Sequence, residues 1–244
     1  MVQTNSSLSG IQQLSKTEHE FVINAPQEFN EFYYNTEQII TLYLDFLSNP
    51  KPGIETFLLF YTQTRNFALL AFLSILRRHD IQTNFNIRLL IEYGSLAAYS
   101  IKNGDLGHFE SKNKTGMIEM DESTRKKAYK FVHNKYQKTS QILKLGQDYV
   151  SKLYCHSNIL NVYKNISIAE GSTGLLFFDK RKDFIPRKDL VVLGGVALMF
   201  MDIFFDLLTQ NNLAVIEKTI LLRYLGLHDK NKYLLDSLLS KKAK

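Results

Sequence analysis

Between Phe85 and Ile101 the only charged residues are Arg88 and Glu92, and every other position is apolar, small or weakly polar. A helix over about Thr83–Lys102 built this way has almost no solvent-facing side, so other helices must surround it. That one segment predicts a helical bundle with a buried central member. The rest of the chain supplies the neighbours. Helices are expected over Glu28–Leu47, ended by Asn49-Pro50-Lys51-Pro52-Gly53, and over Ile54–Arg78. A basic helix runs from a cap at Asp121 or Ser123 to about Lys138. Another covers about Ser140–Lys164, either separate from it or continuous through a kink. The most apolar helix spans Asp189 to about Gln210. A further helix runs from Asn212 to Tyr224, stopped by Gly226, and a last short one starts at Asp229.

Two segments break the helical pattern. Ile166–Ala169 and Gly174–Phe178 flank Glu170-Gly171-Ser172-Thr173 and read as a small β-hairpin over about 166–178. Asn103–Met120, with Gly104, Gly107 and Gly116, reads as a loop. The expected fold is therefore mostly α, an antiparallel helical bundle with one small β-hairpin. Residues 1–26 read as a flexible N-terminal tail and 27–244 as a single helical domain. Gly194-Gly195, inside an apolar helix, should let another helix approach closely.

The 244 residues suffice to bury a core without staples. Tryptophan is absent, while 17 phenylalanines and 13 tyrosines must carry much of the packing. The single cysteine, Cys155, can form no internal disulfide and no cysteine-based zinc site, which fits a reducing, cytoplasmic location. Its neighbour His156 points about 100° away on a helix, so the two should not act together. No signal peptide is apparent. The apolar run Leu190–Met201 is shorter than the roughly 20 residues that span a bilayer, so no membrane association is expected.

Charge is unevenly spread. Residues 1–50 hold one lysine against six carboxylates, leaving 29 basic and 18 acidic residues for the remainder. Between Arg125 and Lys152 lie Arg125, Lys126, Lys127, Lys130, Lys135, Lys138, Lys144 and Lys152 against Asp148 alone. Such a patch attracts polyanions, RNA foremost, and Arg125, Lys126, Lys127, Lys130 and Lys152 are the candidate nucleic-acid contacts. The competing reading is a solvated helix face.

Three constellations could carry chemistry. Arg88 and Glu92, one turn apart, can pair with each other, and in so apolar a helix they are either a structural pair or the wall of a polar pocket. Ile142, Tyr149, Leu153, His156 and Leu160 fall on one stripe, which would turn His156 towards the bundle seam as a core residue or a proton-transfer group. Asp202 and Asp206 could hold a cation only with help from a second helix, and the Glu-x-x-His motif of di-iron bundles is missing, so they read as a polar stripe. No metal and no cofactor is expected. Phosphate-loop, dinucleotide-binding, zinc-protease and nucleophile-elbow motifs are all absent from the sequence.

The order of these features resembles a known group. Arg88-x-x-x-Glu92 is followed by a loop, a helix ending Tyr149-Val-Ser151-x-x-x-x-His156, an extended segment and a long apolar helix. Over roughly residues 54–210 this is similar to bacterial helical proteins of unknown function grouped with the HEPN superfamily. The resemblance implies a small helical bundle, often dimeric, in a superfamily rich in metal-independent ribonucleases of toxin–antitoxin, CRISPR and phage-defence systems. Its active members carry Arg-x(4–6)-His, with residues of two protomers forming one site. That motif is not matched. Lys152 precedes His156 with three residues between, and Arg125 and His133 are separated by seven. A catalytic site here would instead combine Arg88, Glu92 and His156 from different helices. The functional expectations are an HEPN-like protein that binds or acts on RNA, or a non-enzymatic homodimer or assembly subunit. A small-molecule binder lined by Tyr93, Tyr99 and Tyr149 is the third.

Overall fold

The structure is a computed structural model. It describes residues 10–47, 50–154, 166–169, 172–175, 178 and 184–242, giving the backbone alone for 149–154, for the two strands within 166–175 and for 241–242. Among these residues are eight α-helices: α1 Gly10–Phe29, α2 Glu31–Asp45, α3 Glu55–Leu76, α4 Asp80–Ser100, α5 Glu122–Lys135, α6 Gln137–Tyr154, α7 Phe184–Gln210 and α8 Lys218–Lys242. The expected mostly-α bundle is thus the fold. The expected hairpin is present as β3 (Ile166–Ala169) paired antiparallel with β4 (Ser172–Leu175). A second hairpin, β1 (Glu110–Lys112) with β2 (Ile118–Met120), stands in the segment read as a loop.

The uncharged segment forms the central helix. One side of α4 packs along α3, the most extensive pairing in the fold, and the other sides meet α5, α6 and α7. Ile87, Leu90, Ile91 and the run Gly94–Ala98 are buried, while Ile81 and Phe85 near its start remain exposed. Gly94 lets α7 approach: a Cβ there would lie 2.7 Å from the Phe200 ring. The aromatic residues do carry the core. Phe46 and Tyr61 meet edge to face at 5.0 Å, Phe57 stacks on Tyr61 at 5.5 Å, and Phe204 meets Phe57 edge-on at 5.3 Å. The Tyr61 hydroxyl donates to the Tyr43 carbonyl inside this cluster.

Gly194-Gly195 admits a neighbour, as its sequence suggests. Asn231 of α8 fits against it, and a Cβ on Gly194 would lie 2.9 Å from both Asn231 Oδ1 and Ile39 Cδ1. Asn231 donates to the Val191 carbonyl at 3.1 Å and accepts from Asn35 Nδ2 at 3.1 Å. A buried amide pair therefore stitches α2, α7 and α8 together.

Three expectations are corrected. The segment read as a flexible tail is helical from Gly10 onward, because its sparse apolar positions find partners. Phe21 packs edge-on against Phe178 at 5.2 Å, Ala25 and Phe29 are buried, and Glu18 Oε1 lies 2.6 Å from His79 Nε2. The helix expected from Glu28 is broken at Asn30, whose left-handed φ of 46° separates α1 from α2. Gly226 does not stop a helix, and α8 runs through it with open space where a Cβ would be. Helix α7, read as a buried apolar helix, is 27 residues long, enough by length and composition to cross a membrane, and 72% of its most apolar window is buried within the fold.

Candidate functional site

Helix α5 begins where the sequence predicted. The Asp121 carboxylate accepts from the Thr124 N–H at 2.7 Å and caps the first turn. The cap fixes which side of α5 faces α4. Ala128 and Val132 turn inward, Arg125 and Tyr129 line the edge of that contact, and Lys126, Lys127 and Lys130 point to solvent. At Tyr136 (φ −126°, ψ 56°) the chain breaks and re-phases into α6.

Re-phasing overturns the predicted stripe. Ser140 and Leu143 are buried, Gln147 is half-buried, and a Cβ on Gly146 would be 4.0 Å from Ile91 of α4. Ile142, placed on the inward stripe by its spacing from Tyr149, is exposed, as is Leu145. The inward stripe of α6 is rotated by one residue. His156, the proposed catalytic histidine, lies outside the described residues, and Lys152 belongs to α6 with its side chain undescribed.

Between α4, α5 and α6 the structure assembles a polar centre. Glu92 Oε1 accepts from Arg125 Nη1 at 3.3 Å, and Arg125 Nη2 lies 3.9 Å from Glu122. Glu92, read as a partner for Arg88 along its own helix, thus meets a residue assigned to the RNA-binding surface. Tyr129 joins them, its hydroxyl accepting from Gln147 Nε2 at 2.6 Å. Burial, and next the Glu92 carboxylate, push the Tyr129 hydroxyl well above the usual tyrosine range, with Gln147, Arg125 and Arg88 acting in the opposite direction. Tyr129 therefore keeps its proton at neutral pH and serves as a hydrogen-bonding group. Arg88 is close enough to contribute to this field from the half-buried side of α4. The centre is thus Arg88, Glu92, Arg125, Tyr129 and Gln147, two cations around one carboxylate and two neutral polar groups. Sequence reasoning missed Tyr129 and Gln147. Tyr129 lies one turn from Arg125, a signal that acquires meaning only once the facing side of α5 is known.

Outside this centre the basic surface is real but selective. Lys126 pairs with Glu122 at 2.9 Å, while Lys127, Lys130, Lys138 and Lys144 are exposed. Lys135 is drawn away, donating to Gln210 at 2.5 Å and lying 3.4 Å from Asp206. Asp206 also accepts from the Tyr136 hydroxyl and from Gln210 Nε2, each at 2.5 Å. Asp202, though open to solvent on one side, is raised above the usual aspartate range, first by partial burial and then by the Asp206 charge. Both carboxylates face protein donors, as a polar stripe requires. Two of the tyrosines suggested as a ligand lining are packed instead: Tyr93 stacks on Phe67 at 5.3 Å, and Tyr99 meets Phe131 edge-on at 5.8 Å, while the side chain of Tyr149 lies outside the described residues.

Comparison with models of known families, with curated proteins and with solved structures found no match to this chain.

Proposed function

We propose that this chain is a helical RNA-binding protein of the HEPN-like kind, contacting RNA through the outer face of α5 and the start of α6. The observation that carries this reading is the division of labour on α5. Arg125 is turned inward to Glu92, while Lys126, Lys127 and Lys130 stand together in solvent. Lys138 and Lys144 extend the same charge onto α6. Phosphates gather at such a face because neutralising them releases their counterions, which makes binding steeply salt-dependent. The Arg125–Glu92–Tyr129 group braces the face from below, fixing α5 against α4.

Cleavage is the stronger form of this proposal. It assigns His156 the role of general acid or base, with Arg88 stabilising phosphate charge and Glu92 holding the cations in place. Toxin or phage-defence work is the context the resemblance implies, and the single cysteine fits a cytoplasmic setting for it.

The test is retention and cleavage of labelled RNA at two salt concentrations, with circular dichroism as the folding control. Binding should weaken as salt rises. The double variant Lys127→Glu/Lys130→Glu should flatten the dependence, by about 0.7 in log–log slope for each phosphate no longer neutralised. Binding indifferent to salt and to both substitutions would sink the RNA reading. Cleavage abolished in a folded His156→Ala variant would support the enzymatic form, and cleavage unchanged in it would remove His156 from the site. A separate observation, the exposed apolar stripe of α8, favours a second reading as a self-assembling subunit.

A further inference from the structure

Helix α8 carries two apolar seams side by side. Ile220, Tyr224, Leu227, Asn231, Leu234 and Leu238, spaced 4, 3, 4, 3, 4, form the inner one, buried or half-buried where α8 packs on α2 and α7. One residue further along runs a second series with the same spacing: Leu221, Leu225, His228, Lys232, Leu235 and Leu239. Its leucines are 44%, 49%, 37% and 56% exposed. An alternating 4–3 repeat is the pattern that seats one helix against another, and a lone helix gains nothing from keeping two such seams apolar. Leu222, also exposed, borders the outer one.

We propose that this outer seam binds a second copy of the same chain, with the two α8 helices antiparallel across a twofold axis. Deepening the assembly reading above, the proposal rests on that reading and is independent of RNA binding. The six positions are symmetric about residue 230: 221 with 239, 225 with 235, and 228 with 232. An antiparallel second copy therefore sets leucine against leucine at both ends of the seam and Lys232 opposite His228 of the other copy in the middle. At that level Lys232 also lies beside Asp229 of the other copy. Asp229 is open to solvent, with Oδ1 3.8 Å from His228 Nδ1 of its own chain. The twofold axis repeats the lysine–aspartate pair, as an isologous interface requires. A parallel copy would place Lys232 on Lys232, a like-charge pair near the centre of the seam, and would leave each lysine without the other copy's Asp229 beside it. The polar middle thus selects one orientation, while the leucines supply the apolar burial. Lys230, on the flank, is already held by Glu31 at 2.5 Å and does not compete.

The test is sedimentation of the purified full chain over a range of concentrations. The wild type should be dimeric at micromolar concentration. Leu225→Glu/Leu235→Glu should be monomeric with unchanged helicity, since neither side chain belongs to the core. Lys232→Asp should weaken the dimer about tenfold or more, and adding Asp229→Lys to it should restore association. A wild type that stays monomeric overturns the assembly reading and this proposal together, leaving the seam to a different protein. A dimer that survives Leu225→Glu/Leu235→Glu leaves self-assembly standing and overturns the seam. Failure of Asp229→Lys to rescue Lys232→Asp overturns the antiparallel register.

Discussion

The same substitution should have opposite signs at two glycines, because their surroundings differ while their backbone does not. Both lie inside helices, where replacing glycine by alanine gains up to about 1 kcal/mol of backbone preference. At Gly226 open space surrounds the place a Cβ would take, so Gly226→Ala should raise stability by about 0.5–1 kcal/mol. At Gly94 the new methyl would meet the fully buried Phe200 ring at 2.7 Å. The ring is hemmed in by Phe204 and cannot step aside freely, so overpacking of about 1–3 kcal/mol should outweigh the gain. Urea unfolding of the two variants checks both signs, and a Gly94→Ala variant as stable as wild type would show that α4 and α7 can separate without penalty. At this scale the sequence was legible where a residue has one meaning. The Gly194-Gly195 pair announced a close approach and Asp121 a cap. It was silent where the meaning lies in a partner: Glu92 has its i−4 neighbour Arg88 in the sequence, and nothing local reveals that Arg125, 33 residues on, reaches it.

At the scale of the element, the turn between α3 and α4 shows how a helix end can serve a neighbour. Arg77, Arg78 and His79 stand at the C-terminal end of α3. In the structure they hold α1: Arg78 Nη2 donates to Glu28 at 2.8 Å and its guanidinium sits 4.1 Å from the centre of the Phe21 ring, while His79 meets Glu18. Arg78 does this from a left-handed backbone with φ 62°, which a side chain tolerates at a cost of about 1–2 kcal/mol. Two variants separate the effects. Arg78→Ala removes the ion pair and the ring interaction and keeps the strain, costing about 1–2 kcal/mol. Arg78→Gly removes the same interactions and relieves the strain, so it should be more stable than Arg78→Ala by about 1 kcal/mol. Equal stabilities in thermal unfolding would mean that the left-handed turn is not under strain. Why α1 escaped the sequence reading is now clear. Its own apolar positions are few, and Arg77, Arg78 and His79, at the turn between α3 and α4, hold it in addition to the packing of Phe21, Ala25 and Phe29. The error at Gly226 is the converse, since a local stop signal was overridden by the heptad packing of α8 on both sides of it.

For the whole molecule, charge and burial act together. The acidic first fifth of the chain is partly consumed inside the fold: Glu18 by Arg77 and His79, Glu28 by Arg78, Glu31 by Lys230. Lys127, Lys130, Lys138 and Lys144 of α5 and α6 remain exposed, a division that composition could not reveal because it depends on which helices touch. The tyrosine-rich core has a further consequence at high pH. Burial, with a hydrogen bond to Glu37, holds the Tyr33 hydroxyl up at about 12, and burial pushes Tyr43, Tyr61, Tyr129, Tyr136 and Tyr224 up as well. In the unfolded chain these groups ionise near pH 10. Above that value the folded state retains protons that the unfolded state has released, so stability is full below about pH 10 and falls as pH rises. A fully buried tyrosine such as Tyr43 withdraws about 1.4 kcal/mol for each further pH unit. With several titrating together against a typical total of about 5–15 kcal/mol, the bundle should unfold cooperatively at a pH between about 10 and 12. Followed together, the part of the tyrosinate absorbance that belongs to the buried tyrosines should rise in the same step in which helical circular dichroism is lost. Ionisation of every tyrosine with the helices intact would mean that the Tyr43–Tyr61–Phe204 cluster is open to water, and the packing described for the core would have to be abandoned.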